Sequence, residues 1–160
     1  MKRRLMLVIL ALIAALLLVT GLVAAKAMVV EFTGILTPVG FYPGTVTNPD
    51  GNIHIRGEIE EFLVDATDPR VSGTMSVVIN ANWDSSGVGP MRGTYRLDSV
   101  GGFWEGTWTG MRHADGSISV RNVGHGRGDF EGLKVWTTIE FPSLEGPGTM
   151  SGRILDPHGE

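Results

Sequence analysis

From residue 28 onward the chain alternates apolar and polar side chains at period two, the repeat of a strand whose two faces meet different surroundings. Residues 71–83 show it most clearly. Val71, Gly73, Met75, Val77, Ile79, Ala81 and Trp83 fall on one side, and Ser72, Thr74, Ser76, Asn80 and Asn82 on the other. The same reading predicts a first strand over 28–36, with Val30, Phe32, Gly34 and Leu36 on one face. Residues 37–51 carry Pro38, Gly40, Pro43, Gly44 and Pro49-Asp50-Gly51, and read as a long connection ending in a tight turn.

A second strand is predicted over 52–66, with Ile53, Ile55, Gly57 and Ile59 inside and His54, Arg56, Glu58 and Glu60 outside. Phe62 and Val64 break that register, so a bulge is expected after Glu60-Glu61. Met91, Gly93, Tyr95 and Leu97 mark the inner face of a fourth strand, and Trp104, Gly106, Trp108 and Gly110 that of a fifth. Asp115-Gly116 reads as a type I′ hairpin turn leading to a sixth strand around Ile118, Val120 and Asn122. A seventh is expected over 129–141, with Leu133, Val135, Ile139 and Phe141 on one face and Trp136 on the other. An eighth is expected over 148–155. No stretch of the body shows period 3.6 with a cap.

About eight strands in hairpin order predict an all-β domain, an antiparallel up-and-down barrel with a two-sheet sandwich as the alternative. Glycines inside strand patterns (Gly57, Gly73, Gly93, Gly106, Gly110, Gly132 and Gly152) suit a sheet that bends at corners and leaves room beside large aromatics.

Residues 1–27 belong to another class. Lys2-Arg3-Arg4 precedes 21 uncharged residues, 5–25, and Ala25-Lys26-Ala27 offers small residues at the positions a signal peptidase reads. The segment reads as a signal peptide cut after Ala27. An uncleaved anchor is the alternative, since the run is long enough to span a bilayer. Either way the expected location of residues 28–160 is outside the cytoplasm, secreted or anchored. Residues 1–27 hold four of the 13 basic residues and no acid, so the body carries nine bases against 17 acids, a formal charge of −8. That balance argues against nucleic acid or an anionic membrane as partner. The absence of cysteine excludes disulfides and thiolate chemistry.

Few residues offer chemistry. His54, His113, His125 and His158 are too scattered to share a metal, and no cofactor is implied. His125 reads as a turn residue or as an acid or base at a barrel rim. Glu58, Glu60 and Glu61 read as a solvated strand face. Gly124-His-Gly-Arg-Gly lacks the helix that a phosphate loop requires. Trp104, Trp108 and Tyr95 project to one side of neighbouring strands, and Met75 and Met91 can join them. They either fill the core or wall an apolar pocket, and in the second case are the candidate ligand-binding residues. Trp136, facing out beside Lys134, marks a surface for contact between copies of the chain.

The run Gly124-x-Gly126-x-Gly128-x-Phe130-x-Gly132-Leu133, with Gly-Thr-Trp-Thr-Gly at 106–110 before it and Gly-Thr-Met-Ser-Gly at 148–152 after it, resembles the bacterial secreted relatives of the allene oxide cyclase and dirigent barrels. The resemblance covers about the last 60 residues. It implies a short eight-stranded barrel, and an enzyme that steers ring closure of a reactive lipid or phenoxy species mainly by shape. It brings no catalytic residue to a position here. Three readings of function stand: a module binding a small apolar or aromatic ligand, a structural or self-associating protein with a filled core, and a cyclase-like enzyme.

Overall fold

The structure is a computed structural model that describes residues 27–144, 146–157 and 159. The export segment expected at residues 1–27 therefore lies almost wholly outside the described residues, as does His158. Among the described residues nine strands form one antiparallel sheet: β1 (Met28–Tyr42), β2 (Thr45–Thr47), β3 (Ile53–Ala66), β4 (Gly73–Trp83), β5 (Gly89–Ser99), β6 (Gly102–Arg112), β7 (Ile118–Gly128), β8 (Lys134–Phe141) and β9 (Gly148–Asp156). From β3 to β9 each strand pairs with the next. β1 pairs with β9 along its first half and with β3 along its second, which closes eight strands into a barrel with β2 as an extra strip on β3. Closure removes the free edges that a sandwich would keep. Among the described residues no helix is long and apolar enough to cross a membrane.

Closure also explains the first departure from the sequence reading. β1 does not stop at Leu36 but runs to Tyr42, because the edge of β3 needs partners there. Pro38 and Gly40 are accommodated by a slip in the ladder between them. A proline has no N–H to give, so a bulge is where a strand tolerates it. Pairing across the sheet thus overrides local turn chemistry.

The second departure is in β3. The ladder with β4 slips between Arg56 and Glu58, at Gly57, rather than after Glu61. Gly57 has φ +68°, a conformation open to glycine at little cost. The extra residue exchanges the two faces of the strand from that point on. Ile55 lies inside opposite Ala81, but then Glu58, Glu60, Phe62 and Val64 face inward, opposite Ile79, Val77, Met75 and Gly73. Ile59 turns outward.

Smaller differences follow the same logic. The Asp115-Gly116 hairpin exists, but only Gly116 has positive φ, and the turn is closed by the His113 N–H on the Ser117 carbonyl and the Gly116 N–H on the His113 carbonyl. It is a longer turn than type I′. Residues 129–133 form a turn, not the start of a strand, and the Gly124–Gly128 stretch is strand.

The two ends of the barrel differ. At the end carrying the turns at 67–72, 99–102 and 129–133, the interior is solid. Trp104 is fully buried there, stacked on Phe130 at 5.3 Å between ring centroids, and its indole Nε1–H donates to the Arg70 carbonyl at 2.7 Å. Val71, Leu36 and Ile154 complete this plug. Arg70 is held by Asp68, which the guanidinium keeps below the usual carboxylate range.

Candidate functional site

At the opposite end the barrel interior is not filled. A cavity enters between the ends of β4, β7 and β8 and the 142–144 turn, past Trp83, Ile118, Phe141, Ser143 and Leu144. Its deeper wall is built by Phe62, Met75, Val77, Tyr95 and Trp108. The cavity volume is about 60 Å³, within about 670 Å³ of empty space counted out through the open mouth. A single water needs ~10–15 Å³ of such a cavity, so there is room for roughly four waters in file or for a slender chain of a few heavy atoms.

Four of the five residues singled out from the sequence line this space: Trp108, Tyr95, Met75 and Met91. Trp104 does not. It alternates correctly onto the inner face, but its position along β6 puts it in the solid end, with its indole N–H already used. The aromatics are seated by glycines on facing strands. A Cβ at Gly124 would collide with the Tyr95 hydroxyl, so β7 can pass the phenol only with glycine there.

The groups that sequence reasoning missed are polar. Glu58 and Glu60, expected on the solvated face, project into the cavity as a consequence of the Gly57 bulge. Both are half-buried. Burial in these apolar surroundings pushes the Glu60 carboxyl up to about 7, and the neighbouring Glu58 carboxylate adds to the rise. Burial raises Glu58 as well. Desolvation and like charge act in the same direction here, both against ionisation. Burial also drives the Tyr95 phenol upward, and its hydroxyl has no hydrogen-bond partner among the described residues. On the far side of the barrel, four strands from Glu58 along the ladders, Asn122 is only 6% exposed and lines the same cavity. The one sequence signal for this constellation was Gly57, a glycine placed where a bulge could form, four residues before Glu61.

The other candidates lie elsewhere. His125 is exposed at mid-strand on the outer face of β7, away from the rim and not in a turn. His54 lies on the outer side of β3, and His113 bonds Ser119 at 2.9 Å. Among the described residues no cluster of three metal-ligating side chains exists. Trp136 faces outward in a shallow groove across β1, β9, β8 and β7, with the Arg153 guanidinium 5.5 Å from its ring centroid.

No protein-family model matches the chain, and no curated protein matches it either.

Proposed function

We propose that this chain is a binding module that takes a small, largely apolar molecule into the open end of its barrel. The observation that carries the reading is the asymmetry of the interior: one end is a solid plug around Trp104, while the other keeps an aromatic-walled cavity open to solvent. A protein with a purely structural core gains stability by filling such a space, because unfilled volume forfeits dispersion contacts. The apolar walls with a few convergent polar groups are the usual composition of a small-molecule site. The reading places the domain outside the cytoplasm on the strength of the basic, then apolar, first 27 residues.

Tryptophan fluorescence tests it, with Trp104 as an internal control. Short-chain alkyl and aromatic compounds are expected to quench or shift emission saturably. Trp108→Phe should remove most of the response, and Trp104→Phe should keep it while lowering thermal stability through the lost bond to Arg70, by about 1–3 kcal/mol. A response that survives Trp83→Phe and Trp108→Phe together, or none for any compound, would overturn the reading.

A second reading is supported by one observation: a cavity carboxyl whose proton exchanges near neutral pH has the property of a general acid or base. It makes an isomerase or cyclase-like activity the alternative. Turnover of a bound compound that is lost in Glu60→Gln while binding is retained would establish it.

A further inference from the structure

Two carboxyls stand on one wall of a cavity whose other walls are mainly apolar. The titratable or charged groups on the inner faces are few. β3 carries Glu58 and Glu60 themselves, and β5 carries Tyr95. Arg112 lies at the rim of β6, where its guanidinium stacks 4.8 Å over the Trp83 ring and donates to the Gly87 carbonyl at 3.0 Å. Asp156 on β9 is at the closed end. The inner positions of β4, β7 and β8 carry no ionisable side chain: they read Met75, Val77, Ile79, Trp83, then Val120, Asn122, then Val135, Ile139. Among the described residues no cation therefore reaches Glu60, and only its burial and Glu58 move its carboxyl. Paired acids inside a barrel without a counter-charge are costly to keep ionised.

Resting on the binding function proposed above, we infer that the cavity selects an amphipathic organic cation, a small alkyl- or arylalkylammonium whose head is held by the Glu58 and Glu60 carboxylates and whose apolar body lies against Trp108, Trp83 and Met91. The cation supplies the charge the site lacks. The aromatic residues that line the cavity, Phe141 at the mouth and Trp108 deeper in, shelter its chain, and aromatic surroundings suit an ammonium. Asn122 on the opposite wall lines the same cavity, and an amide oxygen there is an acceptor for a second ammonium N–H. A hard metal ion is a poorer fit, because six to eight oxygens at fixed distances are what it requires and the walls here are hydrocarbon.

The sign of the pH dependence separates this ligand class from neutral ones. An ammonium needs Glu60 ionised, and alkylammonium groups stay protonated well above pH 8. Its affinity should therefore rise as pH passes through 7. A neutral alcohol or ketone is best held by the protonated carboxyl, and its affinity should fall over the same range. The test is calorimetric titration of the purified full chain with n-hexylammonium and with 1-hexanol, at pH 6 and pH 8, and with calcium chloride. Hexylammonium is expected to bind up to about tenfold more tightly at pH 8 than at pH 6, following the ionised fraction of a carboxyl near 7. It should bind more tightly than hexanol at pH 8. Glu60→Gln should flatten the pH dependence of both ligands and weaken hexylammonium at pH 8, while hexanol binds the variant at pH 8 about as it binds the parent at pH 6, because the amide mimics the protonated carboxyl; that retained binding also reports a folded variant. Glu140→Gln, on the exposed outer face of β8, should change nothing. Hexanol binding with no preference for the amine overturns the cation assignment and leaves the cavity reading standing. Binding of neither overturns both, and tight calcium binding with no amine overturns the organic character of the ligand.

Discussion

Glu60 shares its chamber with Phe62, Val77 and Trp108, and these surroundings act directly on its ionisation. Its carboxyl titrates near 4.5 in an unfolded chain and near 7 in the barrel. The folded state therefore holds a proton that the unfolded state has already released. The stability contribution is complete below about pH 4.5 and is lost as pH rises through 7. A loss of stability on the order of 2 kcal/mol between pH 5 and pH 8, once the partial solvation of the side chain is allowed for, is the expected outcome, read as a fall in melting temperature. Glu60→Gln should be flatter over that window, with Glu58 alone left to titrate in the cavity, and more stable than the parent at pH 8. Arg70 holds the Asp68 carboxyl below the usual carboxylate range, so its stabilising contribution is lost on acidification and not between pH 5 and pH 8. Thermal melts across pH in the two proteins decide the matter, and a parent curve that is flat from pH 5 to 8 would remove the buried-acid description of the site.

β3 owes its two-faced character to one residue. Up to Arg56 its inward positions are the isoleucines, and beyond Gly57 they are two acids followed by Phe62 and Val64. A Cβ added at Gly57 would meet no other atom within 4 Å, so any cost of substitution is conformational and not steric crowding. Gly57→Val should cost about 1–2 kcal/mol, the usual penalty of left-handed backbone for a residue with a Cβ. Gly57→Asn should cost distinctly less, since asparagine visits that region readily. Both are read by chemical denaturation. Equal losses for valine and asparagine would show that the bulge is held by something other than backbone freedom. In β6 the same alternation carries both Trp104 and Trp108 inward, and only their distance along the barrel separates a packed core residue from a cavity wall.

Closure of the barrel depends on β1 serving two neighbours, β9 along residues 28–36 and β3 along residues 34–42. The first and last strands of the domain must meet before the ring is complete, so the contacts that close it are the most distant in sequence and slow to form. Amide hydrogen exchange checks this arrangement. The amides of 34–42 that bond β3 should exchange as slowly as those of central strands such as β5, and far more slowly than those of the exposed 84–88 turn. Rapid exchange over 37–42 would mean that β1 ends at Leu36, as its proline and glycine content alone suggests, and that the ring is open.

Period-two alternation was enough to place most strands, their inward faces and the barrel class, because each follows from local side-chain polarity along a pleated backbone. It placed Trp108, Tyr95, Met75 and Met91 on the inner wall for that reason. Depth along the barrel axis was not legible, since alternation says which face a residue takes and nothing of how far down the bore it lies. Trp104 and Trp108 are therefore equivalent in sequence and different in the fold. The position of the β3 bulge was not legible either, because it is set by the ladder with β4 and by the demand of β1 for a partner, both of which are pairings between distant segments. That single slip carried Glu58 and Glu60 from solvent into an apolar chamber. Alternation had identified a wall of aromatic and methionine side chains. Only the registration of strands far apart in the chain decided that two carboxyls would face it.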